Sequence, residues 1–406
     1  MIIILSSVCV LGNSPLISGY PELKGRTLLE KRAFAREKVD HLRKRLMMEP
    51  RGHAEMYGAL LVRHTELTES GEADIGVLFM HNEGYSTMCG HATIALGRFL
   101  VDAHDERIFP QRGQLIKDER GDVELRLHAP CGVVRLGVPV MAAEGRGLRS
   151  DPTRRVRFVS VPSFVSARDV LVEIPEEARW TALRAAGKTG VRVDVAYGGA
   201  FYAFVSAAEL GFTNGLRGTT VRELDAATAA VKRAVAALPG VVAHPSERAL
   251  EYLYGVIVTE GPADDPATDG GLSACFFADQ QLDRSPTGSG VSARVALAVA
   301  TGKLGVGEQA EFHSLVSMAD AGSAFTGAAV ETAVMADGGD GGRQWDAVRV
   351  EVSGRAFYTG AHAFVAETGD GLAGAGGFYV WEVAKQYLLR PGVAGGLLGL
   401  GVFYFW

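Results

Sequence analysis

Apolar residues along this chain recur in two spacings, and the alternation between those spacings predicts its elements. From Leu28 to about Arg45 the run "LLEKRAFAREKVDHLRKR" follows Thr27, with Glu30 three residues further on. That is the spacing of a capping box, so a helix is expected there. "YGALLV" and "IGVLFMH" then read as strands. In "NEGYSTMCGHATIALGRFLVD" the triplet Cys89, Gly90, His91 opens a helix whose apolar side carries Ile94, Leu96, Phe99 and Leu100. Short β-rich runs follow: "VELRLHAP", "GVVRLGVPV" and "VRFVSVPSFV".

The order then repeats. "VDVAYGGAFYAFV" reads as strand, "VRELDAATAAVKRAVAAL" as helix and "EYLYGVIVT" as strand, and a helix starts after Thr287. "PADDPATDGG" is a polar loop inside this second unit. Cys89-Gly90-His91-Ala92-Thr93 lies over Thr287-Gly288-Ser289-Gly290-Val291, with short residues in both first turns. Two equivalent α/β halves are therefore expected, residues 1–180 carrying Cys89 and 181–378 carrying Thr287, followed by an atypical tail, 379–406.

Length agrees with that division, since 406 residues exceed a usual domain of about 100–200. A hydrophobic share of 47% with 22% charged residues fits a globular enzyme. The net charge of −6 makes no case for nucleic acid. Lys31, Arg32, Arg36, Lys38, Arg43, Lys44 and Arg45 are interleaved with Glu30, Glu37 and Asp40, and read as a solvated helix face. Cys9, Cys89, Cys131 and Cys275 lie far apart, which indicates neither a zinc site nor disulfides and favours a cytoplasmic, reducing setting. "MIIILSSVCVLG" lacks the basic residues of a signal peptide, and "VAGGLLGLGVFYFW" is too short to span a bilayer, so no membrane segment is expected.

Helix N-termini present unpaired N–H groups and about half a positive charge, and glycine lets an anion approach the backbone. Two such cradles suit small carboxylates, whereas the phosphate-loop pattern is missing its lysine. At one cradle, Cys89 is placed where a thiol's pKa falls from about 8.5 to roughly 3.5–7.5, and a thiolate can attack a carbonyl or remove a proton. Cys131 and Cys275 sit in strand-like runs and read as inert. Asp283 can hold an ammonium group or pair with Arg284 or Arg294.

These residues resemble the proline racemase family. "NEGYSTMCGHATIALGRF" and "FFADQQLDRSPTGSGVSARVAL" carry the likeness, with "EPRGHAEMYGALLV", "VPSFV", "DVAYGGAFYAFV" and "FTGAAV" in the family's order, from Tyr20 to Phe378. The resemblance implies an α+β fold of the diaminopimelate epimerase type: two pseudo-symmetric halves, each a curved sheet around a central helix, with the site in the cleft. Racemases and epimerases of the family carry cysteine at both helix starts, whereas here the second position is Thr287. That pair looks like the branch that dehydrates trans-3-hydroxy-L-proline, without metal or cofactor, to 1-pyrroline-2-carboxylate. It makes Cys89 and Thr287 the catalytic positions. It also implies that Gly90, His91, Asp283, Gly288 and Ser289 bind the carboxylate and ring nitrogen of an imino acid, and it allows a homodimer. Two alternatives stay open: an epimerase or racemase with another group opposite Cys89, and a non-catalytic binder of proline-like amino acids.

Overall fold

The computed structural model describes residues 2–5, 20–53, 55–143, 147–267, 270–336, 344–359, 367 and 369–371. The 379–406 tail and Cys9 lie outside them. The chain begins β1 (Ile2–Leu5), α1 (Leu28–Lys38), α2 (Asp40–Met47), β2 (Tyr57–Val62), α3 (Glu66–Glu69), β3 (Ile75–Met80), β4 (Tyr85–Ser86) and α4 (Gly90–Asp102). Next come β5 (Asp122–Ala129), β6 (Gly132–Ala143), β7 (Gly147–Ser150), β8 (Val156–Val159), β9 (Ser163–Glu173) and α5 (Thr181–Ala185). Then follow β10 (Gly190–Tyr197), β11 (Phe201–Ser206), α6 (Val221–Ala236), β12 (Leu253–Thr259), β13 (Leu272–Phe277) and β14 (Gln281–Leu282). The last described elements are α7 (Gly288–Ala300), β15 (Gln309–Ser314), β16 (Phe325–Ala336) and β17 (Gln344–Gly354).

Strand pairing closes a ring around α7. It runs β9–β10–β11–β12–β13–β15–β16–β17 and returns to β9 through Ala347↔Phe164 and Val348↔Ser163. A second curved sheet, β1–β2–β3–β5–β6–β8, packs against α4 and joins the ring because β8 also pairs with β17. Each central helix bridges two parallel strands, α4 between β3 and β5, α7 between β13 and β15. Among the described residues only the α7 sheet closes on itself, and the units differ at one further pairing. Across α6, β11 and β12 are parallel, whereas β1 and β2 are antiparallel, Ile2 facing Leu60.

Both central helices are buried along almost their whole length, as helices apolar on every side must be. Strand alternation divides the other cores. On β2 and β3, Ala59, Leu61, Val77 and Phe79 face α4, while Leu60, Val62, Leu78 and Met80 meet α1 and α2. The amphipathic α6, capped by Thr220 and Glu223, lays Leu224, Ala227, Val231 and Val235 on the outer face of the α7 ring. Each fully buried Leu or Val there stabilises by about 1.5–3 kcal/mol.

The single helix expected from Leu28 to Arg45 is broken at Val39 (φ −133°, ψ 18°). Arg43 supplies the reason. It is 1% exposed, chelated by Asp40, and donates through Nη1 to the carbonyls of His81 (2.6 Å) and Asn82 (2.7 Å). A straight helix would not aim it there. The basic run is thus not one solvated face: Arg36 and Lys38 are exposed, but Arg43 is interior and Arg32 donates to the Tyr85 carbonyl and the Tyr252 hydroxyl.

α4 and α7 meet at their N-termini. A Cβ added to Gly90 would lie 2.4 Å from Cα of Gly288, and one added to Gly288 would lie 2.6 Å from Cα of Gly90. The obstruction is backbone on both sides, so no rotamer relieves it. Gly90→Ala is therefore expected to destabilise the protein by about 2–3 kcal/mol. Gly113→Ala, where an added Cβ meets nothing within 4 Å, should be neutral. Thermal denaturation of the two variants checks this, and equal midpoints would refute the contact.

Candidate active site

All seven residues expected at the site line one pocket: Cys89, Gly90, His91, Asp283, Thr287, Gly288 and Ser289. Tyr57, Met88, Tyr202, Tyr254 and Phe277 complete the wall. Its empty volume, counting the open mouth, is about 220 Å³. Little of that space is enclosed, so the site suits a very small ligand.

The helix starts provide the floor. Cys89 is the N-cap of α4 with extended backbone, and Thr287 is the N-cap of α7. The first intrahelical bonds come from Thr93 and Val291, so the N–H groups of Gly90, His91, Gly288 and Ser289 find no acceptor within their helices. Two positive helix ends thus converge on one small volume, which favours an anion there. The short residues at the α7 start serve the facing helix as well as any ligand.

Chemistry differs between the two starts. Cys89 is 5% exposed, and its Sγ lies 3.6 Å and 3.5 Å from Nδ1 and Nε2 of His91. His91 Nδ1 is also 3.3 Å from Ser285 Oγ and 3.7 Å from Asp283 Oδ1. Burial disfavours charge on this ring, but the negative charge of the Cys89 thiolate, then the Asp283 carboxylate, outweigh it and raise His91 to about 9. His91 is therefore an imidazolium at neutral pH whenever Cys89 is a thiolate. On the α7 side the Thr287 hydroxyl donates to Asp283 Oδ2 (2.9 Å), and Asp283 Oδ1 accepts from the Ser285 N–H (2.8 Å). Arg284 pairs with Glu55 (2.9 Å), leaving Asp283 facing the pocket.

Several residues escaped sequence reasoning. Tyr57, Tyr202 and Tyr254 come from β2, β11 and β12. Nothing in an alternating strand marks which aromatic the closing sheets will turn inward. Burial pushes all three phenols well above their ordinary value, which keeps them neutral donors. Cys275, read as inert, sits on β13 behind Thr287 and Asp283, and burial pushes its thiol well up. Cys131 is pushed up to about 12 by burial, so neither of these thiols ionises at neutral pH.

Hydrogen bonds fasten the two sides of the pocket across the cleft. Thr87 donates to the Gly199 carbonyl (2.6 Å), Asn82 to that of Asp279 (2.9 Å) and Gln281 to that of Met56 (3.1 Å). Among the described residues no helix is long and apolar enough to cross a membrane.

Comparison with known proteins agrees with this geometry. A protein from Bos taurus named trans-L-3-hydroxyproline dehydratase is 43% identical over 89% of this chain and 90% of its own. One from Homo sapiens named trans-3-hydroxy-L-proline dehydratase is 43% identical over the same shares. The crystal structure of a probable proline racemase from Agrobacterium radiobacter K84, with bound carbonate, matches with a TM-score of 0.71 at 23% identity, covering 94% of this chain and 96% of that one. A hydroxyproline epimerase from Agrobacterium vitis, with bound trans-4-OH-L-proline, has a TM-score of 0.69 at 22% identity, covering 94% of each chain. Both structures bear on fold, and the pseudo-symmetric, epimerase-like α+β arrangement is theirs too. The proline racemase family model matches residues 13–378. With helix starts, pocket and relatives in agreement, this chain belongs to the proline racemase family.

Proposed function

We propose that this chain dehydrates trans-3-hydroxy-L-proline to 1-pyrroline-2-carboxylate and water, with Cys89 as the base. The relatives that carry the dehydratase name support the reaction. One observation carries the mechanism: across the Gly90–Gly288 contact a thiol stands on one side and a threonine hydroxyl, committed to Asp283, on the other. A threonine hydroxyl is far too weak an acid to serve as a base at neutral pH, so only one face of the substrate meets one.

The substrate carboxylate takes the helix-start N–H groups of Gly90, Gly288 and Ser289, and Asp283 holds the ring ammonium. Cys89 takes the α-hydrogen. In this substrate the 3-hydroxyl is trans to the carboxylate, hence on the ring face that bears the α-hydrogen. Both departing groups therefore lie towards Cys89. The C2–H electrons form a C2=C3 double bond, the C3–O pair leaves with oxygen, and His91 protonates that oxygen to give water. The resulting enamine tautomerises to the cyclic imine. Inversion would need a proton donor on the opposite face, where Thr287 stands. A cytosolic location and a homodimer belong to the same reading.

Cys89→Ser should abolish dehydration without loss of fold. Wild type should give an imine from trans-3-hydroxy-L-proline and none from trans-4-hydroxy-L-proline, by o-aminobenzaldehyde trapping. Epimerisation of the 4-hydroxy isomer at a comparable rate would overturn the dehydratase reading.

The pH profile gives a second test. His91, raised to about 9, holds its proton below that pH and loses it above. An acid needed for hydroxyl departure must keep that proton, so kcat/KM should fall as pH rises through about 9. His91→Gln should lower kcat/KM and remove that limb. An unchanged limb in the variant would exclude His91 as the acid.

A further inference from the structure

Three tyrosines line the pocket, and their hydroxyls are not equivalent. Tyr57 Oη bonds Ser86 Oγ at 2.5 Å, and Tyr202 Oη bonds Ser289 Oγ at 2.7 Å. Tyr254 is different. It is 4% exposed, and its buried hydroxyl makes no well-aligned hydrogen bond among the described residues, only a loose contact with the Tyr57 hydroxyl, which is itself bonded to Ser86. Its ring is held in place by Phe277, His81 and Tyr202, with centroids 5.4, 5.6 and 5.9 Å away. A buried hydroxyl left unpaired costs about 1–3 kcal/mol, and native interiors keep few of them. A rigid, unpaired donor in the wall of a polar pocket is a position prepared for a ligand atom.

Its neighbours say which atom. The Tyr254 ring packs on His81 (5.6 Å), which stacks on Tyr57 (6.0 Å), whose ring lies 5.2 Å from that of His91 beside Cys89, whereas Tyr202 bonds Ser289 at the α7 start. Tyr254 therefore belongs to the Cys89 side, and Tyr202 to the Thr287 side. The substrate's 3-hydroxyl is on the ring face turned towards Cys89. The Tyr57 hydroxyl, also on that side, is already committed to Ser86.

We infer that Tyr254 Oη recognises the substrate's ring hydroxyl and holds it beside Cys89 and His91 while the C3–O bond breaks. The inference rests on the dehydratase reading above. Tyr254 keeps its own proton and donates a hydrogen bond to the departing oxygen, which gains the C3–O pair and takes its proton from His91. The residue thus sets specificity for a hydroxyl at this ring position, and proline itself leaves the donor unpaired.

The test compares two reactions of the full chain, dehydration of trans-3-hydroxy-L-proline and exchange of the L-proline α-hydrogen in deuterium oxide. Both need Cys89, but only the first has a ring hydroxyl. In Tyr254→Phe, kcat/KM for dehydration should fall roughly 10–100-fold, while proline exchange changes by less than about threefold. Continued exchange also reports that the variant is folded. A parallel fall in both reactions would make Tyr254 a structural residue and overturn the inference, as would dehydration at the wild-type rate. Wild-type protein that exchanges proline yet never dehydrates the hydroxylated substrate would instead sink the dehydratase reading, and this inference with it.

Discussion

The molecule is organised by the contact of Gly90 with Gly288, where two helix N-termini meet backbone to backbone. Each helix brings about half a positive charge to that point, so the contact is electrostatically unfavourable unless negative charge lies beside it. Asp283 lies beside it on the α7 side, and on the proposed reading a Cys89 thiolate on the α4 side and a bound carboxylate supply negative charge. Packing and chemistry therefore make the same demand. A structure that brings two helix starts so close has built an anion site by doing so.

Each helix is held against that repulsion by the sheet around it. The α7 ring is closed, and β17 ties it to the α4 sheet by pairing with β8 as well as β9 and β16. Across the cleft, bonds from Thr87, Asn82 and Gln281 to backbone carbonyls fasten the two walls. Arg32 adds a clasp from outside, reaching Tyr85 and Tyr252 from the two sides. These contacts keep the pocket small, and on the proposed mechanism small size lets one thiol, one imidazole and one carboxylate act on the same few substrate atoms.

What could be read in the chain was what depends on neighbours in sequence. Both helix starts were legible because a helix opening on Gly and short side chains is unusual, and β2, β3 and α6 because alternation and capping are local patterns. The break at Val39 was not, because its cause is Arg43 reaching His81 and Asn82, 38 and 39 residues away. Nor were Tyr57, Tyr202 and Tyr254, whose place in the wall depends on how the sheets close. In the sequence the glycines point to a ligand's approach. The neighbour that demands them is the other helix.

Thr287 shows how the second helix start separates conformation from chemistry. Its φ of 64° lies in the left-handed region, costly for a β-branched residue by about 1–3 kcal/mol. Neighbouring bonds hold it there: its N–H donates to Ser285 Oγ (3.1 Å), its hydroxyl to Asp283 Oδ2 (2.9 Å), and the Ser285 N–H to Asp283 Oδ1 (2.8 Å). Only one of the three involves the Thr287 side chain. The backbone shape of the cradle is thus set largely by Asp283 and Ser285, and the side chain at 287 is free to define what faces the substrate. A hydroxyl turned to Asp283 offers no proton to the far side of the ring. On the proposed reading, the same cradle serves stereoinversion or elimination according to the one group it presents opposite Cys89.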